Sequence, residues 1–202
     1  MSILLIISHF YVIILYVNQN VWSEFNYNSR GGIILNSEAI RIYEDIRTGK
    51  RSRFPRGFWV DGSNYNYNAA ADITKYLVED VLNWDDEVVK DRMCCEVFFQ
   101  QKLKGMLWTL FNDSFYAAME NAYPGKFKQW EFTHTPRNFW TEETAIEATI
   151  WLFKVKLGMS DEEIVENISR KIFVENRLDT MMHVIYGNNA TQAVKSAFKH
   201  LF

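Results

Sequence analysis

The stretch Thr135-Pro136-Arg137-Asn138-Phe139-Trp140 repeats Phe54-Pro55-Arg56-Gly57-Phe58-Trp59 at an offset of 81 residues. Further matches follow in order. Trp84-Asp85-Asp86-Glu87-Val88-Val89 answers to Ser160-Asp161-Glu162-Glu163-Ile164-Val165 at an offset of 76. Leu103, Met106, Phe111, Ala118, Ala122, Tyr123 and Phe127 answer to Leu178, Met181, Tyr186, Ala193, Ala197, Phe198 and Phe202 at an offset of 75. Matches that keep their order across a whole unit mark an internal repeat. The falling offset assigns about five extra residues to the first copy, in the turn-rich stretch Asp61-Gly62-Ser63-Asn64-Tyr65-Asn66-Tyr67-Asn68.

Each copy reads as helical. Thr141 followed by Glu142 and Glu143 is a helix start, with acids facing the positive end of the macrodipole. Ile146, Ile150, Phe153 and Leu157 recur at helical spacing up to Gly158 and predict an inward stripe. Ser160-x-x-Glu163 is a capping box that opens a second helix through Ile164 and Ile168. A third helix runs through Leu178, Met181, Met182 and Ile185 to Gly187, and Asn189-x-x-Gln192 opens a fourth. The first copy repeats this over 69–82, 85–99, 102–111 and 114–123, and a further helix, Ser37–Arg47, precedes it. The expected fold class is all-α: two tandem copies of a four-helix unit packed together, preceded by one extra helix. Repeat one is expected over 35–127 and repeat two over 128–202.

Composition bounds the function. The 202 residues carry 25 acidic and 22 basic side chains, a net charge of −3. That argues against a generally basic nucleic-acid binder while leaving room for a local patch. Hydrophobic residues at 48% and aromatics at 16% exclude a disordered chain. Two adjacent cysteines cannot staple a disulfide framework, which fits a reducing cytosol.

Residues 1–34 differ from the rest. They contain no Lys, Asp, Ala, Thr or Pro, and only Glu24 and Arg30 carry charge. The apolar run 3–17 is shorter than the roughly 20 residues a membrane span needs, and the basic region and cleavage site of a signal peptide are absent. Arg30-Gly31-Gly32 can be encoded by a stretch containing AGGAGG, the bacterial ribosome-binding sequence, and Leu35 by TTG, an accepted start codon. The expectation is therefore a mis-translated leader. The alternative is a hydrophobic anchor through residues 3–17, the one route to a membrane-associated chain.

The pieces Ile42-Tyr43, Gly49-Lys50-Arg51, Arg53 to Trp59, Ala122-Tyr123-Pro124-Gly125, Phe139-Trp140 and Trp151-Leu152 resemble an uncharacterised tandem-repeat helical family of Bacillus-group plasmids and phages. The resemblance covers roughly 37–202 and implies no catalytic residue. At the level of shape, the helix order ending in Tyr186-Gly187 and Ala193-x-x-x-Ala197 is similar to DNA-binding repeats attached to homing endonucleases.

Few residues suggest chemistry. Cys94 and Cys95 would point about 100° apart on one helix, which suits packing better than metal ligation. His9, His134, His183 and His200 lack metal-type spacing, and His183 stands where the other copy has Trp108, which predicts a packing role. The clusters Asp85-Asp86-Glu87 and Asp161-Glu162-Glu163 are read as helix N-terminal acids rather than catalytic carboxylates. No phosphate loop, nucleophile elbow or zinc-protease motif occurs, and no cofactor or metal is expected.

Two features stand out. Arg47, Lys50, Arg51, Arg53 and Arg56 lie within ten residues, beside Phe58 and Trp59, a mixture suited to phosphates and a stacking face. The competing reading is a linker whose arginines pair with the acidic helices. The second feature is Pro55, Arg56, Phe58 and Trp59 with Pro136, Arg137, Phe139 and Trp140, read as a structural staple in which the arginines stack or hold a helix end. The leading expectation is a cytoplasmic, non-enzymatic binding or regulatory protein with a macromolecular partner, either protein or nucleic acid. The alternative is a DNA-binding protein with helix-turn-helix-like repeats, phosphates held by segment 47–56 and by Lys102 and Lys104. A thiol enzyme using Cys94 or Cys95 is the third.

Overall fold

The computed structural model describes residues 37–136 and 138–202, so the leader or anchor expected over 1–34, with His9, and the side chain of Arg137 lie outside the described residues. The described chain is all-α apart from one small hairpin. Helix α1 (Ser37–Arg47) buries Ala39, Ile42, Tyr43 and Ile46, the spacing of one helical face. The hairpin β1 (Val60–Asp61) and β2 (Asn64–Tyr65) follows. Its two-residue turn has positive φ at Gly62 alone, which only glycine adopts cheaply in that position. Then come α2 (Tyr67–Tyr76), continued by a π turn (Leu77–Val81), α3 (Asp86–Arg92), α4 (Cys95–Gln100), α5 (Lys104–Phe111) and α6 (Phe115–Ala122). After a 3₁₀ turn (Gln129–Glu131), copy two contains α7 (Glu142–Ile150) with a π turn (Trp151–Lys156), α8 (Asp161–Glu166), α9 (Arg170–Glu175), α10 (Asp179–Tyr186) and α11 (Ala190–Ala197), and a last 3₁₀ turn, Lys199–Leu201.

Each helix from α7 to α11 starts 75 residues after its counterpart among α2 to α6. Asp85, not Trp84, therefore corresponds to Ser160: both cap their helices, accepting from Val88 N–H and Glu163 N–H. The offset drops from 81 to 75 across the six residues 60–65, so the inserted loop is the hairpin. Left-handed residues recur in pairs: Asn83 with Gly158, Lys102 with Arg177, Asn112 with Gly187, Asp113 with Asn188. They reverse the chain after a helix, and Asp113 N–H to Leu107 O (3.0 Å) matches Asn188 N–H to Met182 O (2.8 Å). Gly187→Ala should therefore lower stability by about 1 kcal/mol, read from urea unfolding, because φ is 54° there although no atom blocks the added Cβ.

The unit has five helices, not four. Val89 and Phe98 are both fully buried, as are Ile164 and Phe173. Nine residues are two and a half turns, so an unbroken helix would put each pair on opposite faces. The chain breaks instead, at the extended Met93 and Cys94 in copy one and around Asn167 and Ser169 in copy two. The inward stripe of α7 also differs from expectation. Ala145, Ala148, Thr149, Leu152 and Phe153 are buried, while Ile150 and Leu157 remain 39% and 38% exposed. Helix α7 packs on α11 and α2 on α6, and small residues such as Ala145, Ala148 and Ala193 permit close approach.

The buried residues form two separate cores, one around Phe98 and Leu77, the other around Phe153 and Phe173. In copy one Tyr43 of α1 meets Tyr76 edge-on, with centroids 6.3 Å apart; in copy two Trp130 meets Trp151 in the same way at 5.8 Å. The copies are joined by a polar junction. Thr133 N–H donates to Lys90 O (2.9 Å), and Lys90 Nζ lies 3.1 Å from the buried Glu131 carboxylate. Arg177 reaches Glu87 at 3.5 Å and Asp91 at 3.6 Å, and donates to Thr133 Oγ1 at 3.2 Å. Phe127 and Phe132 enter the first core.

The hydrogen bond from Lys90 holds the Glu87 carboxyl below its usual range, helped by the charges of Lys90, Arg177 and Lys156 against slight desolvation. A lowered folded pKa contributes stability above the unfolded value, about 4.3, that is lost as pH falls through the folded one. The destabilisation caused by Arg177→Ala at pH 7 should therefore shrink toward about pH 3, measured by thermal unfolding. An unchanged effect would show that Arg177 acts there by packing.

Candidate functional site

The basic segment grows from the C-terminus of α1. Thr48 Oγ1 donates to Glu44 O (2.7 Å), Gly49 turns at φ 80°, and Arg51 N–H donates to Asp45 O (2.8 Å), so the chain folds back over the helix end. Phe54 fixes the other side. Its ring is parallel to Tyr43, with centroids 6.4 Å apart, and tilts against Trp59 at 4.6 Å and Phe58 at 5.0 Å. Lys50, Arg51 and Arg53 lie between these anchors and Arg56 lies just past Phe54; all four are exposed. Among the described residues, no carboxylate lies within ion-pair distance of these four. Arg47 alone is paired, in a fork on Glu44 (2.7 and 3.1 Å) that holds that carboxyl below its usual range. Among the described residues, the reading in which the segment's arginines pair with acidic helices thus applies to Arg47 only; its acid belongs to α1 itself, and the charge of Lys50 also lowers that carboxyl. Arg51, Arg53 and Arg56 share one shallow groove with Phe54 and Pro55.

Lys102 and Lys104 sit apart, at the corner between α4 and α5, and do not line that groove. Both are exposed, and Lys104 Nζ lies 5.3 Å from the Phe99 ring centre. The exposed face of α5 also carries Gly105, Trp108 and Thr109, and Trp108 is 70% exposed. The equivalent face of α10 carries Asp179, Thr180, His183 and Val184. His183 and Trp108 do correspond, yet neither packs: both face solvent. Copy comparison alone could not reveal this, because the motif matches run along the buried face.

The repeated motif forms the same turn twice. Phe58 N–H donates to Pro55 O (3.1 Å) and Phe139 N–H to Pro136 O (3.2 Å), with Gly57 and Asn138 left-handed. Phe58 meets Trp59 at 4.8 Å and Phe139 meets Trp140 at 4.9 Å. Trp59 is buried in the first core and Trp140 packs on the second. Arg56 makes no aromatic or helix-end contact among the described residues, contrary to the role expected of it.

Cys94 and Cys95 are half-buried and line a groove with Phe99 and Phe115, closed on one side by His134 and Pro136 of the linker. Cys94 begins α4 on extended backbone, so the cysteines do not share a continuous helix. Cys95 Sγ–H donates to Asp113 O at 3.1 Å. That bond is made by the protonated thiol, whereas nucleophilic chemistry needs the thiolate. His200 is exposed and 3.2 Å from Asp161, which also pairs with Lys154. The acid clusters sit where expected, in the first turns of α3 and α8. No group of three His, Cys, Asp or Glu among the described residues is arranged for a metal, and no helix there is long and apolar enough to cross a membrane.

The doubled geometry has a counterpart in sequence space. A family model described as "Protein of unknown function (DUF4046)" matches residues 39–128 and again residues 126–202. The chain belongs to that family. The two DUF4046 matches meet at 126–128, where Phe127 enters the first core and Trp130, soon after, packs on the second. The first DUF4046 match includes all of α1 except its first two residues, and in the second match Trp130 does for α7 what Tyr43 does for α2. No curated protein and no solved structure matches this DUF4046 chain.

Proposed function

We propose that the chain is a non-enzymatic binding protein of the reducing cytosol whose segment 50–56 engages the phosphate backbone of a nucleic acid. One observation carries this reading: four exposed cations without a carboxylate partner among the described residues, on a loop anchored at both ends, in a chain of net charge −3. An anchored loop loses less conformational freedom when it binds than a free one. Trp108 beside Lys104 adds a base-stacking face in the same copy. Symmetric use of α5 and α10 in the major groove fits less well, since Asp179 stands on α10 where Lys104 stands on α5. The Cys95 bond to a carbonyl favours a packing role for that thiol over nucleophilic catalysis.

Fluorescence anisotropy with labelled single-stranded and duplex oligonucleotides, over a salt series, tests the proposal. Four phosphate contacts give a log–log slope of about −3.6 on duplex and −2.8 on single strands. A flat response, or no binding at low salt, overturns it.

A further inference from the structure

The junction between the copies uses different faces of the two units. Copy one offers α3, with Glu87, Lys90 and Asp91; copy two offers Arg177 at the corner between α9 and α10, with Thr133 of the linker. Such a contact is heterologous: among the described residues it leaves one unused half on each unit, which a second molecule can fill.

The acids of one half and the cation of the other recur. On α8 the positions of Glu87, Lys90 and Asp91 are taken by Glu162, Val165 and Glu166, all exposed, Val165 by 44%. No cation pairs with Glu162 or Glu166 among the described residues. The counterpart of Arg177 is Lys102, exposed, with φ of 64° against 65°, so its side chain leaves the backbone from the same local conformation. Lys102 has no ion pair among the described residues either. By the motif offset of 81, Ser52 stands where Thr133 stands, hydroxyl for hydroxyl.

We propose that the exposed α8 face of copy two is a docking surface for copy one of a second chain, with Lys102 of one molecule between Glu162 and Glu166 of the next. The contact repeats the internal junction between molecules, in a head-to-tail sense that closes into a ring or extends as a filament. It goes beyond the nucleic-acid reading and uses no residue of segment 50–56 as its ionic anchor. The contact departs from the internal pattern in two ways: Val165 and Lys50 stand in place of the Lys90–Glu131 pair, and the aromatic contact is absent. The counterparts of Phe115 and Tyr116, which contact Phe132, are Ala190 and Thr191, and Arg51 stands in place of Phe132. The contact between chains is therefore mainly ionic, without the tether that raises effective concentration inside one chain. It is concentration-dependent and sensitive to salt.

Sedimentation velocity of nuclease-treated full-length protein, over a concentration series at low and high salt, tests this. Association is expected at low salt and is lost at about 0.5 M, where screening is nearly complete within a few ångströms. Lys102→Glu alone, and Glu162→Lys with Glu166→Lys, should each weaken association about tenfold or more while circular dichroism stays unchanged. Mixing the two variants should restore it, because each variant supplies the charge the other now lacks. A wild type that stays monomeric at low salt overturns the proposal, and so does association that both variants leave intact or that mixing fails to restore. Oligonucleotide binding is read separately in the Glu162→Lys, Glu166→Lys variant, which keeps segment 50–56, Lys102 and Lys104 intact.

Discussion

Phe98→Ala should unfold the first repeat while leaving the second protected, and Phe153→Ala should do the reverse. Both rings are fully buried, Phe98 in the first core and Phe153 in the second. Phe153 also packs edge-on against Phe173 at 5.6 Å and Phe198 at 6.2 Å. Truncating such a ring removes its transfer free energy and leaves a void, together about 3–5 kcal/mol. A small domain holds only about 5–15 kcal/mol in total, so a large share of one unit's stability disappears. The cores share no buried residue, and apart from Phe132, which packs into the first core, the junction of Lys90, Glu131, Thr133 and Arg177 is polar and transmits little packing strain. Hydrogen exchange resolved by peptide reads the outcome. Equal loss of protection in both halves from either substitution would show one cooperative unit.

Replacing Lys50, Arg51, Arg53 and Arg56 together with Ser should remove most nucleic-acid affinity without moving the unfolding midpoint. All four are exposed, and the backbone bonds that shape the loop do not involve their side chains. A duplex slope of about −3.6 makes the wild type lose ~10²-fold in affinity between 50 and 200 mM salt. The variant should lose little over that range and bind weakly throughout. Phe54→Ala is the companion: it keeps every charge but releases the anchor on Tyr43 and Trp59, so it should weaken affinity less than the charge variant. If the four-serine variant unfolds, these cations are structural and the nucleic-acid reading fails.

The sequence disclosed the doubling, helix α1 with its boundaries, and the caps at Thr141, Ser160 and Asn189, because each depends on short-range spacing or one hydrogen bond. It did not disclose the break between α3 and α4. Nothing at Met93 or Cys94 forbids a helix; the break follows from Val89 and Phe98 needing the same core. The α7 stripe departs from its spacing for a similar reason, since Ala145 and Ala148 carry a weaker hydrophobic signal than Ile146 and Ile150 but fit against α11. At the candidate site the run of cations was visible in the letters. Whether carboxylates neutralised it is a question of distance, and among the described residues only Arg47 finds one.

Both long helices end in a π turn at the same position, closed by Leu82 N–H to Leu77 O and by Leu157 N–H to Leu152 O. Such turns are uncommon and rarely arise twice by chance at one site. Together with the four left-handed pairs 75 residues apart, it makes these irregularities part of the framework common to both copies. The hairpin 60–65 and the cations Lys50, Arg51 and Arg53 occur in one copy only, so the two units share a framework and part company in the surface they carry on it.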